Sequence, residues 1–444
     1  MEGEANKTKE VESSIQHKLS ALPMISPCNI CIYKVPPHIC QVNKACFLPS
    51  IVSIGPIYFK YPSLKSCEDF KLTHLKHFLE LHALTSSHRH HQAYNLANYI
   101  DIMKHHEENA RSYYEHQISL SSNEFIEMMM VDAAFIICYF ICNSDCGIEF
   151  SNRNNPMHQK ITWMVKITHD LFLEENQIPF FVLEDLYNLS FGAAYPHISF
   201  KDLTLRFIQN SEILEGYPRD NLHGSFAYNA RKASNIKHLV DFLRVSYLPS
   251  NLRTHQYIIN KEEVRFCPSA KELKAAGIKF ICSSEKNSLL DIRYCKGKLR
   301  IPTLKIQDET EAFIRNLVFF EQCQHFSNSY FIDYAIFLND LIGSAEDVQI
   351  LVQNGIIENF LGSHEEVALM LNRITKNIML LRPNFYYSGI CGDMNKYVSI
   401  KWNRWKAILR RDYFNHPWSI ISVVYLVFLL ILTILQVFTG FHHN

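Results

Sequence analysis

Hydrophobic positions along this chain recur mostly at helical spacing. Leu72, Leu75, Phe78 and Leu79 share one face of a 3.6-residue period and predict a helix over 67–84. Glu124 to Cys142 is the most apolar stretch before the C-terminus. Its uninterrupted part, Ala133 to Cys142, is too short to cross a bilayer and follows Glu127 and Asp132, so it predicts a buried core helix. Periodicity returns over Ile161 to Glu174. Pro179 opens a helix through Leu189, and another runs from Ile236 to Leu248 until Pro249 ends it. Three later helices are announced by a serine with an acid three residues on, a pair that satisfies free backbone donors at a helix start: Ser269 with Glu272, Ser344 with Asp347, and Ser363 with Glu366. Gly277 and Gly355 fall where C-terminal caps belong for the first two. Leu289 to Ile306 alternates apolar and polar positions around Lys296–Gly297–Lys298, which predicts a hairpin.

The remaining stretches break these patterns. Residues 1–25 are polar and read as a disordered lead. Cys28 to Tyr58 contains Pro36, Pro37, Pro49 and Pro56, which prevent a long helix, so extended segments and turns should wrap a core there. His88 to Ser119 mixes His, Tyr and Glu along a polar helical stretch, and Asn143 to Asn155 reads as a loop. Gly192 to Ser234, with Pro196, Gly216, Pro218 and Gly224, reads as an irregular linker. The expected fold class is mainly α: one large helical domain over 26–400 with a small β-hairpin, followed by one transmembrane helix.

That last helix is the strongest single pattern. Trp418 to Phe438 holds no charge, and at about 1.5 Å per residue it reaches roughly 30 Å, the thickness of a hydrocarbon core. Leu426, Phe428, Leu430 and Leu435 carry its apolar surface, Trp418 and Phe438 mark its ends, and Pro417 suits its first turn. Lys401, Arg404, Lys406, Arg410 and Arg411 form a basic collar over 401–416, whereas the tail, 439–444, has no Lys or Arg. This asymmetry predicts a single-pass protein of the plasma membrane or an endomembrane with its large domain in the cytosol. The collar, with Trp402 and Trp405, should rest on anionic headgroups.

Composition narrows the function classes. Lys plus Arg and Asp plus Glu number 44 each, so no net positive charge points to nucleic acid. The 13 cysteines cannot all pair with one another, and those inside apolar runs, such as Cys138 and Cys142, read as reduced, buried thiols. Met1 to Ser20 lacks the apolar core of a cleaved signal peptide.

Candidate chemistry is sparse. Glu174–Glu175–Asn176–Gln177, between apolar helices and before Pro179, could bind a ligand or move a proton. Its plainer reading is structural: Glu175 and Asn176 satisfy backbone groups at a helix junction broken by proline. Cys28 and Cys31 form C-x-x-C without a second pair at zinc spacing, near His38, Cys40 and Cys46. Cys138, Cys142 and Cys146 share a helical face and read as packing. His88, His90 and His91, with His105 and His106, read as surface histidines rather than a metal site. No phosphate-binding glycine loop, nucleophile elbow or H-E-x-x-H is present. The chain is therefore assigned no catalytic residue, cofactor, metal or small-molecule substrate. It is read first as a membrane-tethered interaction or signalling protein, with an enzyme of unrecognised type, metal-assisted and using Glu175–Gln177 or the histidines, as the alternative. Its expected partners are the lipid bilayer and a protein.

Several phrases together carry a resemblance: CIYKVP from Cys31, PSIVSIGP from Pro49, DLFLEENQIPFFVL from Asp170, HLVDFLRVSYLP from His238, AKELKAAGIKF from Ala270, LIGSAEDVQILVQNGIIENFLGSHEEVA from Leu341 and WKAILRRDYFNHPWSIIS from Trp405. In this order the chain resembles the plant family called domain of unknown function 247. The resemblance implies a plant protein, largely helical, with a C-terminal membrane segment and an undefined biochemical role. Some grass relatives are tied to self-incompatibility loci. Cys67–Glu68–Asp69–Phe70–Lys71 departs from the Met–Glu pair that relatives often carry before the lysine.

Overall fold

A computed structural model of the protein describes residues 2–20, 29–87, 96–144, 161–211, 225–249, 266–283, 288–325, 328–378, 385–400 and 417–442. The N-terminal half contributes α1 (Glu2–Ser20), α2 (Pro37–Cys40), α3 (Cys67–Ser87), α4 (Leu96–Arg111), α5 (Ser122–Cys142), α6 (Ile161–Leu171), α7 (Phe180–Tyr187), α8 (Phe200–Asn210), α9 (Ser225–Lys232) and α10 (Leu239–Tyr247). The C-terminal half contributes α11 (Ala270–Ala275), α12 (Thr310–Gln324), α13 (Tyr330–Leu341), α14 (Ala345–Gln353), α15 (His364–Thr375), α16 (Ser388–Ser399) and α17 (Pro417–His442). Five short strands accompany them: β1 (Lys279–Ser283), β2 (Arg293–Cys295), β3 (Lys298–Pro302), β4 (Leu304–Ile306) and β5 (Ile357–Asn359). The protein is mostly helical with few strands.

The first half is built around α5. Ser121 and Glu124 close a reciprocal capping box at its start, and every residue from Phe125 to Ile141 except Glu127 is buried. By length and composition α5 could cross a membrane, yet 89% of its most apolar window lies inside the protein. It is a core helix, with α3, α4, α7 and α8 packed around it. In the second half α12, α13 and α15 pack together, and α14 joins α15 to α11. α10 bridges the halves by packing on α9 and α12, where Arg244 meets Glu321 at 2.9 Å. Glu321 also accepts the Phe331 and Ile332 amides at 2.7 and 3.1 Å, which fastens the start of α13 to the same point. Apolar side chains from both halves form one contiguous core.

The expected hairpin is present. β2 and β3 pair antiparallel, Arg293 opposite Arg300, through a turn in which Lys296 and Gly297 have φ of 47° and 75°. Two left-handed residues are what a tight turn matching the strand twist requires. Nothing along the chain signals that β1 pairs in parallel with β3, or β4 with β5. These are long-range pairings of strands too short to show alternation.

Two other expectations are corrected. Glu2–Ser20, read as part of a disordered lead, is helical, although its described side chains are exposed. Gly192 to Ser234, read as a linker, contains α8 and α9. The missed signal was Ser199 with Asp202, a complete capping box whose helix buries Phe200, Leu203, Phe207 and Ile208. All three predicted serine caps receive their backbone N–H. The Asp347 carboxylate, however, accepts the Lys271 amide at 2.8 Å and so joins α14 to the start of α11.

Candidate functional site

The Glu174–Gln177 run lies in the turn between α6 and α7, and all four residues are buried. Its side-chain partners are mostly backbone groups, some in the turn itself and others far away in the chain. Asn176 accepts the Ile54 amide at 2.7 Å and donates to the carbonyls of Val52 at 3.0 Å and Asp170 at 2.8 Å. Gln177 donates to the Leu171 and Leu173 carbonyls at 2.8 and 2.7 Å, closing the last turn of α6, and accepts the Leu239 amide at 3.0 Å at the start of α10. Glu175 accepts the Val35 amide at 2.6 Å and the Tyr58 hydroxyl. Burial pushes its carboxyl up, while those two donors favour its charged form. Pro179 is the N-cap of α7 and the Phe180 amide, next along, donates to the Lys237 carbonyl at 2.8 Å.

Three residues outside that run complete the arrangement. Asp170 gathers the amides of Ser50, Ile51 and Val52 at 3.0, 2.6 and 3.0 Å. Asp132, within the apolar face of α5, accepts the Gly55 amide at 2.8 Å and the Lys71 ammonium at 2.6 Å. Lys71 also donates to the Ser53 carbonyl at 3.0 Å and meets Glu68 at 2.9 Å. Burial opposes charge on Lys71, but Asp132 and Glu68 overcome it and hold the ammonium above its usual range. Gly55 has φ of +75°, and a Cβ there would stand 2.4 Å from the Gln177 carbonyl oxygen. Residues 50–55 thus form a strap held by side chains rather than by a strand partner. Gly55 lies within PSIVSIGP, Asp170 within DLFLEENQIP, and Lys71 and Asp132 are charges in apolar surroundings. That last feature was the available signal for the pair.

Glu174 differs from its neighbours. Its amide donates to Asn316 at 2.8 Å, but neither carboxyl oxygen has a hydrogen-bond partner, and His238 Nε2 stands 3.8 Å away. Burial pushes Glu174 well above the carboxylate range and His238 down to about 3. The burial that raises one and lowers the other disfavours an ion pair between them. His238 Nε2 lies 3.1 Å from the Cys31 carbonyl, and the ring caps α10 through Nδ1. Both side chains are fully buried.

The other candidates disperse. Cys28, Cys146, His88, His90, His91 and the collar residues Lys401, Arg404, Lys406, Arg410 and Arg411 lie outside the described residues. Cys31 is buried, and its thiol is raised by burial and by Glu174. Among the described residues no group of three or more His, Cys, Asp or Glu could hold a metal. α17 runs from Pro417 to His442, and the side chains of Tyr425 to Gln436, including Leu426, Phe428, Leu430 and Leu435, are exposed. The side chains of Trp418 and Phe438 lie outside the described residues.

A family model described as "Plant protein of unknown function" (DUF247) matches residues 32–432, which include the strap, the acidic–amide run and the first part of α17. The chain belongs to the DUF247 family. A similar relative is UPF0481 protein At3g47200 of Arabidopsis thaliana, 28% identical over 430 residues, covering 91% of this chain and 85% of that protein. Putative UPF0481 protein At3g02645 of the same plant is 29% identical over 173 residues, 39% of this chain and 32% of its own length. No solved structure matches. In this DUF247 protein, then, the Glu174–Gln177 run of the family resemblance sits where the N-terminal strap, α6 and α10 converge.

Proposed function

We propose that this DUF247 member is a membrane-anchored plant protein whose helical domain acts in protein interaction or recognition. One observation carries the reading: an uncharged helix whose described side chains meet none of the domain's core. Tyr425, Leu426, Phe428 and Leu435 are 63%, 64%, 58% and 54% exposed. Buried apolar area is worth about 25 cal/mol per Å², so leaving such a surface in water is costly, and a bilayer covers every face of the helix at once. The run from Trp418 to Phe438 has the length to span. The collar ahead of it, Lys401 to Arg411, favours a cytosolic domain. A tether confines the domain to a surface and raises the effective concentration of partners there. The buried polar groups support scaffolding rather than turnover, because Glu174 and His238 are sealed from any substrate in solution. The resemblance, which implies grass relatives tied to self-incompatibility loci, makes a reproductive recognition determinant a specific form of this reading.

The test is sedimentation of plant-cell lysates without detergent, followed by alkaline carbonate washing. The full chain should stay in the membrane pellet, and a chain ending before Pro417 should leave it. A full chain found in the high-speed supernatant overturns the reading.

A further inference from the structure

The three-stranded sheet, in the order β1-β3-β2, carries one exposed and strongly basic face. Register puts Lys279 opposite Lys298, with Cys295 across the hairpin, and puts Arg300 opposite Arg293. Lys279, Lys298, Arg300, Arg293 and Cys295 are all exposed, while Phe280 and Leu299 bury the other face. Lys296, in the turn, adds a fifth exposed cation. Arg293 has the buried Asp291 within 3.9 Å. No carboxylate among the described residues lies within ion-pairing distance of Lys279, Lys296, Lys298 or Arg300. Like charges directly opposite on neighbouring strands destabilise a sheet. Here two such pairs lie side by side in a chain whose charges otherwise balance at 44 and 44.

The place of this face in the fold points to its occupant. A Cβ on Gly297 would meet the Tyr397 hydroxyl at 3.1 Å and its ring at 3.2 Å, so the hairpin turn rests on the last turn of α16. From Ser399, residues 400–416 lead to α17, a distance of at most about 60 Å even fully extended. We propose that this sheet face docks on anionic lipid headgroups of the membrane that α17 enters, so that the domain lies against the bilayer in one orientation. The proposal rests on the anchored reading and adds a second contact to it. Each Lys or Arg near an anionic surface gives on the order of a fivefold gain in occupancy.

Cys295 is a built-in reporter, exposed on the same row as Lys279 and Lys298. The full chain is inserted in vesicles of phosphatidylcholine, with or without phosphatidylserine, at low salt. Maleimide labelling of Cys295 is then followed by peptide mass spectrometry. Labelling should be slowed severalfold by phosphatidylserine and restored by added salt, which screens the contact. The test variant is K298E/R300E. It converts both facing pairs into opposite charges, so it should unfold no more easily than the native chain while its docked occupancy falls at least thirtyfold or so. Flotation with both vesicle types but equal Cys295 labelling on both overturns the docking and leaves the anchor standing. Failure to float with phosphatidylcholine vesicles overturns the anchor itself. Protection of Cys295 by RNA or by an acidic polypeptide, but not by phosphatidylserine, assigns the face to another class of partner and overturns the proposal.

Discussion

Asn176→Ala tests whether the acidic–amide run is a structural clamp. The native amide makes three hydrogen bonds at 2.7 to 3.0 Å, two of them to the strap, and is 1% exposed. Truncation leaves the Ile54 amide without its acceptor and the Val52 and Asp170 carbonyls without this donor. An orphaned buried polar group costs about 1–3 kcal/mol, although carbonyls can find partial compensation. Summed with the small void, the loss should be roughly 3–5 kcal/mol, a large share of the 5–15 kcal/mol typical of a folded domain. Two measurements on the full chain in detergent check it. The urea midpoint should fall sharply, and the Ile54 amide should lose protection in hydrogen exchange while α5 amides, bonded within the core helix, keep theirs. An Asn176→Ala protein losing less than about 1 kcal/mol, with Ile54 still protected, would refute the clamp. Asn176→Asp should be no rescue. It keeps the acceptor for Ile54 but turns an oxygen toward two carbonyls, so its loss should equal or exceed that of alanine at neutral pH.

Gly55→Ala should destabilise far more than Gly362→Ala: both have left-handed φ, +75° and +94°, but only Gly55 faces a backbone oxygen at 2.4 Å, and paired denaturation midpoints measure the difference. Lys71→Met should cost about 3–5 kcal/mol by stranding the buried Asp132 carboxylate, and adding Asp132→Asn should recover part of it, a coupling that a double-mutant cycle reads directly. Asp333, pushed up to about 7 by burial despite the Tyr386 amide that donates to it, keeps its proton in the folded state after the unfolded chain would lose it near 3.9. Its contribution to stability is complete below that lower value and lost as pH rises through about 7. Asp333→Asn should therefore gain on the native protein by a few kcal/mol at pH 8 relative to pH 4, and a gain independent of pH in thermal unfolding would contradict the burial argument.

What could be read from sequence was what local chemistry decides. α5 announced itself because a run such as Ala133 to Cys142 can only be buried in protein or lipid, and Asp132 just ahead of it favoured protein. The hairpin was legible because Lys296–Gly297 supplies two left-handed residues between alternating strands. α8 was missed because prolines and glycines elsewhere in 192–234 outweighed Ser199–Asp202, although a capping box followed by Phe200, Leu203, Phe207 and Ile208 at helical spacing was there to read. The strap is a different case. Its amides find acceptors on Asp170, Asn176 and Asp132, which lie 118 to 120, 122 and 77 positions along the chain. No window of sequence contains both halves of that interaction. A polar run wedged between apolar helices can mark a reactive site or a set of acceptors for distant backbone, and the sequence, which fixes no nucleophile or base nearby, favours the second. The burden of satisfying every buried amide separates them. A strap with no strand partner must take its acceptors from side chains, and each side chain so used is withdrawn from chemistry. Glu174 is the member of the run left over from this accounting. Burial pushes its carboxyl well above the usual carboxylate range, beside a His238 that burial pushes down to about 3.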